Sequence, residues 1–452
     1  MGLRLLTMEE KYDVVIIGAG PAGLFSAYEL QRLGLKKILL LDKGKDIAHR
    51  SPREVLWGVG GAGLFSDGKL NFTPRLGKTD LTEFIDFSEA EKLINEVEEI
   101  FRKFGMDGQT YPSDLEKAND YRIAAKKLGL DLQIIKQKHL GSDNLPVYIQ
   151  KMGDFLKQNS VELIIGHEVK KIDLGNNEFI LNTNKGKIRA KKVLVAPGRA
   201  GNSWLTKNLE ELKVPLEQKA IEVGVRLEVP AEVLKEICSV IYDPTFYFQS
   251  PSFDDQLRTF CTNPNGYVAE EKYKEFVCVN GHAYSNKHSK NANFALLDKV
   301  SLSEPVTDTI AYGESICRLA LTIGGGKPIL QRYFDFKKHR RSTWERLNKS
   351  CVEPTLKEVT PGDIGMALPY RIVVNLIEGI EKLDAMLPGL ASDSTLLYAP
   401  EVKFFSVRPK INKNLETTIN GLFVAGDGAG VSGNIVGAAA TGIIAARGII
   451  RK

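Results

Sequence analysis

The chain has 452 residues, with 61 Lys and Arg against 56 Asp and Glu, a net charge of +5, and 43% hydrophobic residues. That length suits two or three lobes with cores of their own, and so small a charge excess, with no basic cluster, gives no footprint for nucleic acid. Five cysteines scattered from Cys238 to Cys351, never in C-x-x-C spacing, and six dispersed histidines argue against a disulfide framework and a metal centre.

Residues 1–12 lack the apolar core and cleavage site of a signal peptide. The most apolar later segment, 435–450, is short and carries Arg447, so it does not read as a membrane span. The expectation is a cytoplasmic protein with no membrane partner.

In chain order, Asp13 to Ile17 is an apolar, β-branched run that reads as a strand buried on both faces of a parallel sheet. Gly18, Gly20 and Gly23 follow in G-x-G-x-x-G spacing, with Pro21 and Ala22 inside the motif, and a helical pattern comes next. Such a turn lets a backbone approach a pyrophosphate at a helix N-terminus. A second strand, Lys37 to Leu41, ends at Asp42, 19 residues beyond Gly23, where a ribose-binding carboxylate is expected; Lys43 follows it. The alternative is a glycine turn that merely packs a helix onto a sheet.

A second glycine-rich stretch runs from Trp57 to Lys69, with no strand before it. Gly60, Gly61, Ala62, Gly63, Ser66, Asp67, Gly68 and Lys69 suggest an extended loop hugging a ligand, against the plainer reading of a surface loop. Ser88 to Gly105 has a helical apolar stripe, with Ser88 and Glu91 as a capping box.

From Val161 three short strands (161–166, 167–174, 178–183) form a β-meander, and a run from Lys191 to Val195 leads into Ala196-Pro197-Gly198-Arg199, close to the Gly18 turn. Residues 221–360 read as a separate α+β substrate or cap lobe inserted between residues 1–220 and 361–452 of the nucleotide domain. Gly324 to Gly326 read as the cap of a preceding helix, and the basic run 337–341 as a solvated face or hinge contact. A buried strand at 422–425 then leads into Gly426-Asp427, Gly433-Asn434 and a small-residue helix from Ile435.

Together the GAGPAG turn with its acid, the strand-to-APG turn at 193–198 and the T-x-x-x-LFVAGD stretch at 418–427 resemble the glutathione-reductase-like FAD flavoproteins. GVGGAGLFSDGKL (58–70), KHLGSDNLP (138–146), VGVRLEVP (223–230) and GDGAGVSGNIVGAAATG (426–442) are similar to the FAD-dependent dehydrogenase family of bacteria and archaea. The resemblance implies an α/β fold: a Rossmann FAD domain with a β-meander and an inserted cap. It implies that Gly18, Gly20 and Gly23 hold the FAD pyrophosphate and that Asp42 binds ribose. It also implies that Val169 meets adenine through its backbone, that Asp427 bonds ribitol or pyrophosphate, and that amides near Asn434 and Ile435 face the flavin's pyrimidine end.

Two departures restrict the chemistry. The CxCPGG loop of many relatives is here Phe260 to Gly266 with one cysteine, Cys261, and the C-x4-C disulfide of thiol reductases is missing near Asp42. No second strand–GxGxxG–helix unit is present in the sequence, so NAD(P)H would have to visit the flavin transiently.

The resulting expectation is an FAD-dependent oxidoreductase exchanging a hydride with a small organic substrate, by C=C reduction or dehydrogenation. His282, Tyr284, His139 and Lys69 are the candidates for moving the accompanying proton, with Cys261 as a nucleophile and Arg226 or Arg199 as carboxylate binders, Arg226 being equally readable as a strand ion pair. A nicotinamide or ferredoxin would serve as redox donor, and homo-oligomers are compatible. An RNA-modifying flavoenzyme and a non-catalytic flavin-binding protein are the alternatives.

Overall fold

The computed structural model describes residues 11–50, 56–65, 68–217, 219–273, 275–284, 287–303, 308–404 and 407–451. The chain divides into two units. The first comprises Met1–Gln109, Gln137–Gln218 and Ser406–Lys452, and the second Thr110–Lys136 and Lys219–Phe405.

The first unit is built on a seven-stranded sheet whose centre is the strand Lys11–Ile17. It lies between the long strand Gly186–Val195 and Ile38–Leu41, parallel to both. Val14 to Ile17 are buried, as expected of a strand covered on both faces. Val161–Ile164 extends the parallel edge beside Ile38–Leu41, so it is not part of the meander. The antiparallel meander is Val169–Leu174, Phe179–Thr183 and Gly186–Val195. The short apolar strand Val161–Ile164 follows a helix, and that connection lets it enter parallel, where a hairpin turn would not. The C-terminal strand Leu422–Val424 pairs parallel with Val193–Val195, so 47 C-terminal residues return to the sheet begun at residue 11.

The helix Pro21–Arg32 packs against the C-terminal helix Ile435–Ile450. Small residues make the approach possible: a Cβ on Gly442 would stand 2.2 Å from the Ala22 carbonyl oxygen. Ser26 Oγ lies at the crossing and donates to both the Ala22 and Gly442 carbonyls. Glu29 is fully buried there. Burial alone would raise its pKa, but Arg32 and Arg447 hold it below the usual carboxylate value. The predicted helix at 88–105 is Phe87–Lys103. Its cap is Asp86, whose carboxylate accepts from the Glu89 amide, rather than Ser88, because Asp86 is the last residue with extended backbone.

The second unit holds an eight-stranded sheet. Its order is Thr360–Pro361, Ile329–Arg332, Leu396–Lys403, Ile221–Pro230, Asn291–Val300, Gln256–Asn263, Thr245–Gln249 and Asp131–Gln133. Two departures from the sequence reading follow. Asp131–Gln133 pairs with Thr245–Gln249, which draws 110–136 into this unit. Leu396–Lys403 pairs with the central strand Ile221–Pro230, so the unit extends to Phe405 rather than ending at 360.

Val223, Val225, Leu227 and Val229 on one face of the central strand enter an apolar core. Glu222, Arg226 and Glu228 on the other face are also buried. Gly324 caps the helix Thr309–Ile323, as expected. In the basic run, Lys337 pairs with Glu381 and Arg340 with Asp335.

Candidate functional site

Ile17 ends the central strand of the first unit and the chain turns at Gly18, whose φ of 104° suits glycine. A side chain there would strike the Ala196 carbonyl, since a Cβ would lie 2.1 Å from its oxygen. The Ala196 amide in turn donates to Ile17 O at 2.8 Å. The predicted neighbourhood of the Gly18 turn and Ala196 is therefore present. Pro197 and Gly198 (φ 65°) complete the second turn.

Gly20 is the N-cap of the first helix, with Pro21 at its first position. No side chain caps this end and no acid lies in its first turn. Helices Asn202–Glu211, Ala231–Val240 and Tyr370–Asp384 share that lack of a side-chain cap, whereas Phe87–Lys103, Leu115–Lys127 and Thr309–Ile323 are capped by Asp86, Asp114 and Asp308. An amino end left without a side-chain acceptor is what a pyrophosphate uses.

The second glycine stretch folds onto this turn. The Gly60 amide donates to Ala19 O at 2.8 Å, and Gly61 lies against Gly20 and Pro21. Arg50, unmarked by the sequence reading, holds the stretch by donating to Val59 O at 2.7 Å and Gly61 O at 3.0 Å. Ala62–Phe65 forms one short 3-10 turn, and a Cβ on Gly63 would stand 2.9 Å from Ile435 Cγ1. Gly68 accepts from the Leu140 amide, and Lys69 opens the strand Lys69–Phe72. Ser66 and Asp67 lie outside the described residues.

Asp42 is buried and accepts three backbone amides: Ala19 on Oδ2 at 2.9 Å, and Gly44 and Gly58 on Oδ1 at 2.8 and 2.9 Å. A carboxylate has about four acceptor positions, so one remains for a ribose hydroxyl. Asp42 thus ties both glycine stretches together, a role that sequence spacing did not suggest. Lys43 turns away, its Nζ 5.1 Å from the Trp57 ring centroid. Val169 starts the meander and is buried.

The C-terminal stretch closes the arrangement. Gly426 packs on Ala22, and Gly428 on Gly198. Asp427 is held by Lys78 and by Arg199, whose Nε lies at 3.2 Å. Burial would raise the Asp427 pKa, but these two cations keep it below the ordinary carboxylate value. The Gly433 amide donates to Thr79 Oγ1 at 2.8 Å and Asn434 Nδ2 to the same oxygen at 3.1 Å, while Asn434 caps the helix through the Gly437 amide. Lys78 and Thr79 sit in a two-stranded hairpin that no sequence signal marked.

The four proton-transfer candidates form two pairs in different units. In the first unit, Lys69 and His139 lie on the neighbouring strands Lys69–Phe72 and Lys136–His139. In the second, the His282 and Tyr284 rings meet edge to face with centroids 4.4 Å apart, and Tyr284 is 45% exposed.

Of its two readings, Arg226 takes the strand ion pair and not the carboxylate-binding substrate contact. Its guanidinium is fully buried, bidentate on Glu401 at 2.7 Å and bonded to Asn293 Oδ1 at 2.9 Å. Cys261 stands at a bulge with φ 52°, its carbonyl accepting from Arg226 and Asn263. Among the described residues no group of His, Cys, Asp or Glu could hold a metal ion, and no helix is long and apolar enough to cross a membrane.

Residues 13–137 match the family model described as FAD dependent oxidoreductase, and residues 220–404 match that of FAD-dependent protein, C-terminal domain-like. The chain is an FAD-dependent oxidoreductase. The oxidoreductase is 28% identical to an uncharacterised protein of Clostridium beijerinckii, over 99% of its own length and 82% of that protein's. It is 27% identical to a putative sarcosine oxidase of Caenorhabditis elegans over 48% of its own chain and 57% of the other. Among solved structures it is similar to glycine oxidase from Geobacillus kaustophilus (14% identity, TM-score 0.39, covering 98% and 95% of the two chains). It is also similar to L-amino acid deaminase from Proteus vulgaris (15%, TM-score 0.41, 100% and 96%).

The residues present fit FAD. The first helix offers an amino end without a side-chain cap, glycines let backbone approach from two sides, and Asp42 keeps one acceptor position.

Proposed function

We propose that the oxidoreductase holds FAD among Gly18–Gly23, Gly60–Gly63, Ala196–Arg199 and Gly426–Ile435, and exchanges a hydride with a small organic substrate by dehydrogenation or C=C reduction. The observation that carries this reading is the convergence of these stretches around the first helix's uncapped amino end. FAD, when bound, supplies the hydride chemistry at flavin N5.

The chain's own residues bind and orient. With FAD bound, the Ala22 and Gly23 amides would hold the pyrophosphate, Asp42 would take one ribose hydroxyl, and the Val169 backbone would meet adenine. A side chain near the reacting centre moves a proton at the atom next to the hydride-bearing carbon. His139 and Lys69 are the candidates from the first unit, His282 and Tyr284 from the second. For C=C reduction, NAD(P)H or a reduced ferredoxin would supply the electrons as a transient visitor; for dehydrogenation, an oxidised nicotinamide, ferredoxin or other electron acceptor would take them away.

The test is spectroscopic. Purified protein should show a flavin absorption spectrum; for C=C reduction it should bleach anaerobically with NADH, NADPH or reduced ferredoxin and recover with substrate, and for dehydrogenation it should bleach with substrate and recover with an electron acceptor. His139→Gln, His282→Gln and Tyr284→Phe should each be followed through the recovery step. A colourless protein that FAD does not reconstitute overturns the proposal. Unchanged recovery with retained FAD removes that side chain from the catalytic set.

A further inference from the structure

Two cations converge on Asp427, and they differ. Arg199 reaches it from the Ala196–Arg199 turn with its side chain 47% exposed. Lys78 reaches it from the hairpin with only 12% of its side chain exposed. Its stem crosses the Gly433 backbone, where a Cβ would stand 2.6 Å from Lys78 Cγ. The adjoining Thr79 fixes the same turn by accepting from Gly433 and Asn434. Lys78 is thereby locked at the amino end of the helix Ile435–Ile450.

Burying an ammonium is costly, because it gives up hydration that a surface cation keeps. Lys78, ahead of Arg199, offsets the burial of Asp427 and keeps its carboxylate ionised. The placement gives a second result: a fixed positive charge beside a helix amino end, whose dipole has the same sign. The pyrophosphate has its own acceptor-free helix end at Gly20–Gly23. The Gly426–Ile435 side is left for the ring system, which gains negative charge on two-electron reduction.

We propose that Lys78 is a positioning residue of the cofactor site that holds Asp427 and Gly433 in place and favours the reduced, anionic flavin over the oxidised one. Resting on the FAD reading above, this deepens it by assigning the charge that sets the flavin's potential. The hairpin is then part of the electrostatics of the site rather than a surface ornament.

The experiment compares wild type, Lys78→Met, Lys78→Gln and Lys78→Arg, each loaded with FAD, by anaerobic equilibrium titration against a redox dye. Affinity for oxidised and reduced FAD is measured in parallel. Lys78→Met should lose about tenfold more affinity for reduced than for oxidised FAD, a midpoint about 30 mV more negative for a two-electron couple. Lys78→Gln should follow it, and reports if the Met variant does not fold; Lys78→Arg should stay near wild type. An unchanged midpoint in Met and Gln, an equal loss of affinity for both forms, or a shift in Arg as large as in Met overturns the proposal. A wild type that binds no FAD overturns the underlying site instead, so the two failures are separable.

Discussion

Asp42 offers a sharp test, because its carboxylate has two possible duties. As a ribose ligand it matters only when FAD is bound. As the acceptor of the Ala19, Gly44 and Gly58 amides it matters in the empty protein too. Asp42→Asn keeps the shape but turns one oxygen into a donor. Either Ala19, or Gly44 and Gly58 together, then faces an NH2 group.

A hydrogen bond to a charged acceptor is worth about 1.5–3 kcal/mol, and a buried N–H left without an acceptor costs about 1–3 kcal/mol. The smallest loss, with Ala19 alone unpaired, is therefore about 1.5 kcal/mol. For a unit of this size each kcal/mol moves Tm by about 2–4 °C, so apo Asp42→Asn should melt at least about 3–6 °C below apo wild type. The assay is a thermal melt of FAD-stripped protein followed by circular dichroism, with FAD affinity measured on the same samples. An apo melting point within about 1 °C of wild type, together with weakened FAD binding, would refute the tie between the glycine stretches and leave Asp42 as a cofactor ligand alone.

Other expectations concern the second unit. Glu401→Leu leaves the buried Arg226 without its bidentate partner and Lys403 without its nearer one, and should destabilise by about 3–5 kcal/mol in urea unfolding, whereas Arg226→Met with Glu401→Leu should recover the part owed to Arg226. A double variant as unstable as the single one would sink that account. Burial pushes the Asp298 carboxyl up to about 7. The folded chain then keeps a proton that the unfolded chain has lost. Its stabilisation is complete below the ordinary aspartate pKa and is lost as pH rises through about 7. Asp298→Asn should flatten the fall in stability over that range, and an unaltered pH profile would count against the assignment. Cys278 and Cys317 are buried with sulfurs 3.5 Å apart, and Cys278 is pushed up by its hydrogen bond with Cys317 and by burial. A thiol reagent at pH 8 should label exposed Cys351 first and this pair only after denaturation; early labelling of the pair would contradict the packing.

The parts of the site that could be read from sequence were those written into backbone. Gly18 and Gly23 stand where backbone meets backbone, Gly426 lies against Ala22, and Gly198 takes a positive φ; glycine reports those requirements directly. Side chains that act through distant partners left no such trace. Arg226 was open to two readings until Glu401, 175 residues away, came to lie on the neighbouring strand. Lys78 and Thr79 are ordinary surface-type residues in a short hairpin, and only the proximity of Gly433 gives them meaning. The limits of the second unit were obscured for a similar reason. Three-residue Asp131–Gln133 carries no pattern of its own, and its membership is decided by pairing with Thr245–Gln249.

The return of Ser406–Lys452 to the first sheet bears on how the protein is made. The ribosome releases the opening strand and glycine turn early, but Leu422–Val424 and the last helix, which complete that sheet and its helix pair, emerge last. Most of the second unit, Lys219–Phe405, lies between them and can gather its own core while the first unit waits with one face bare. Tight FAD retention then becomes a certificate that translation has passed the helix Ile435–Ile450, since a chain broken off within the second unit lacks Asp427 and that helix. Such fragments would carry an unsheltered apolar first helix and be marked for removal rather than for service.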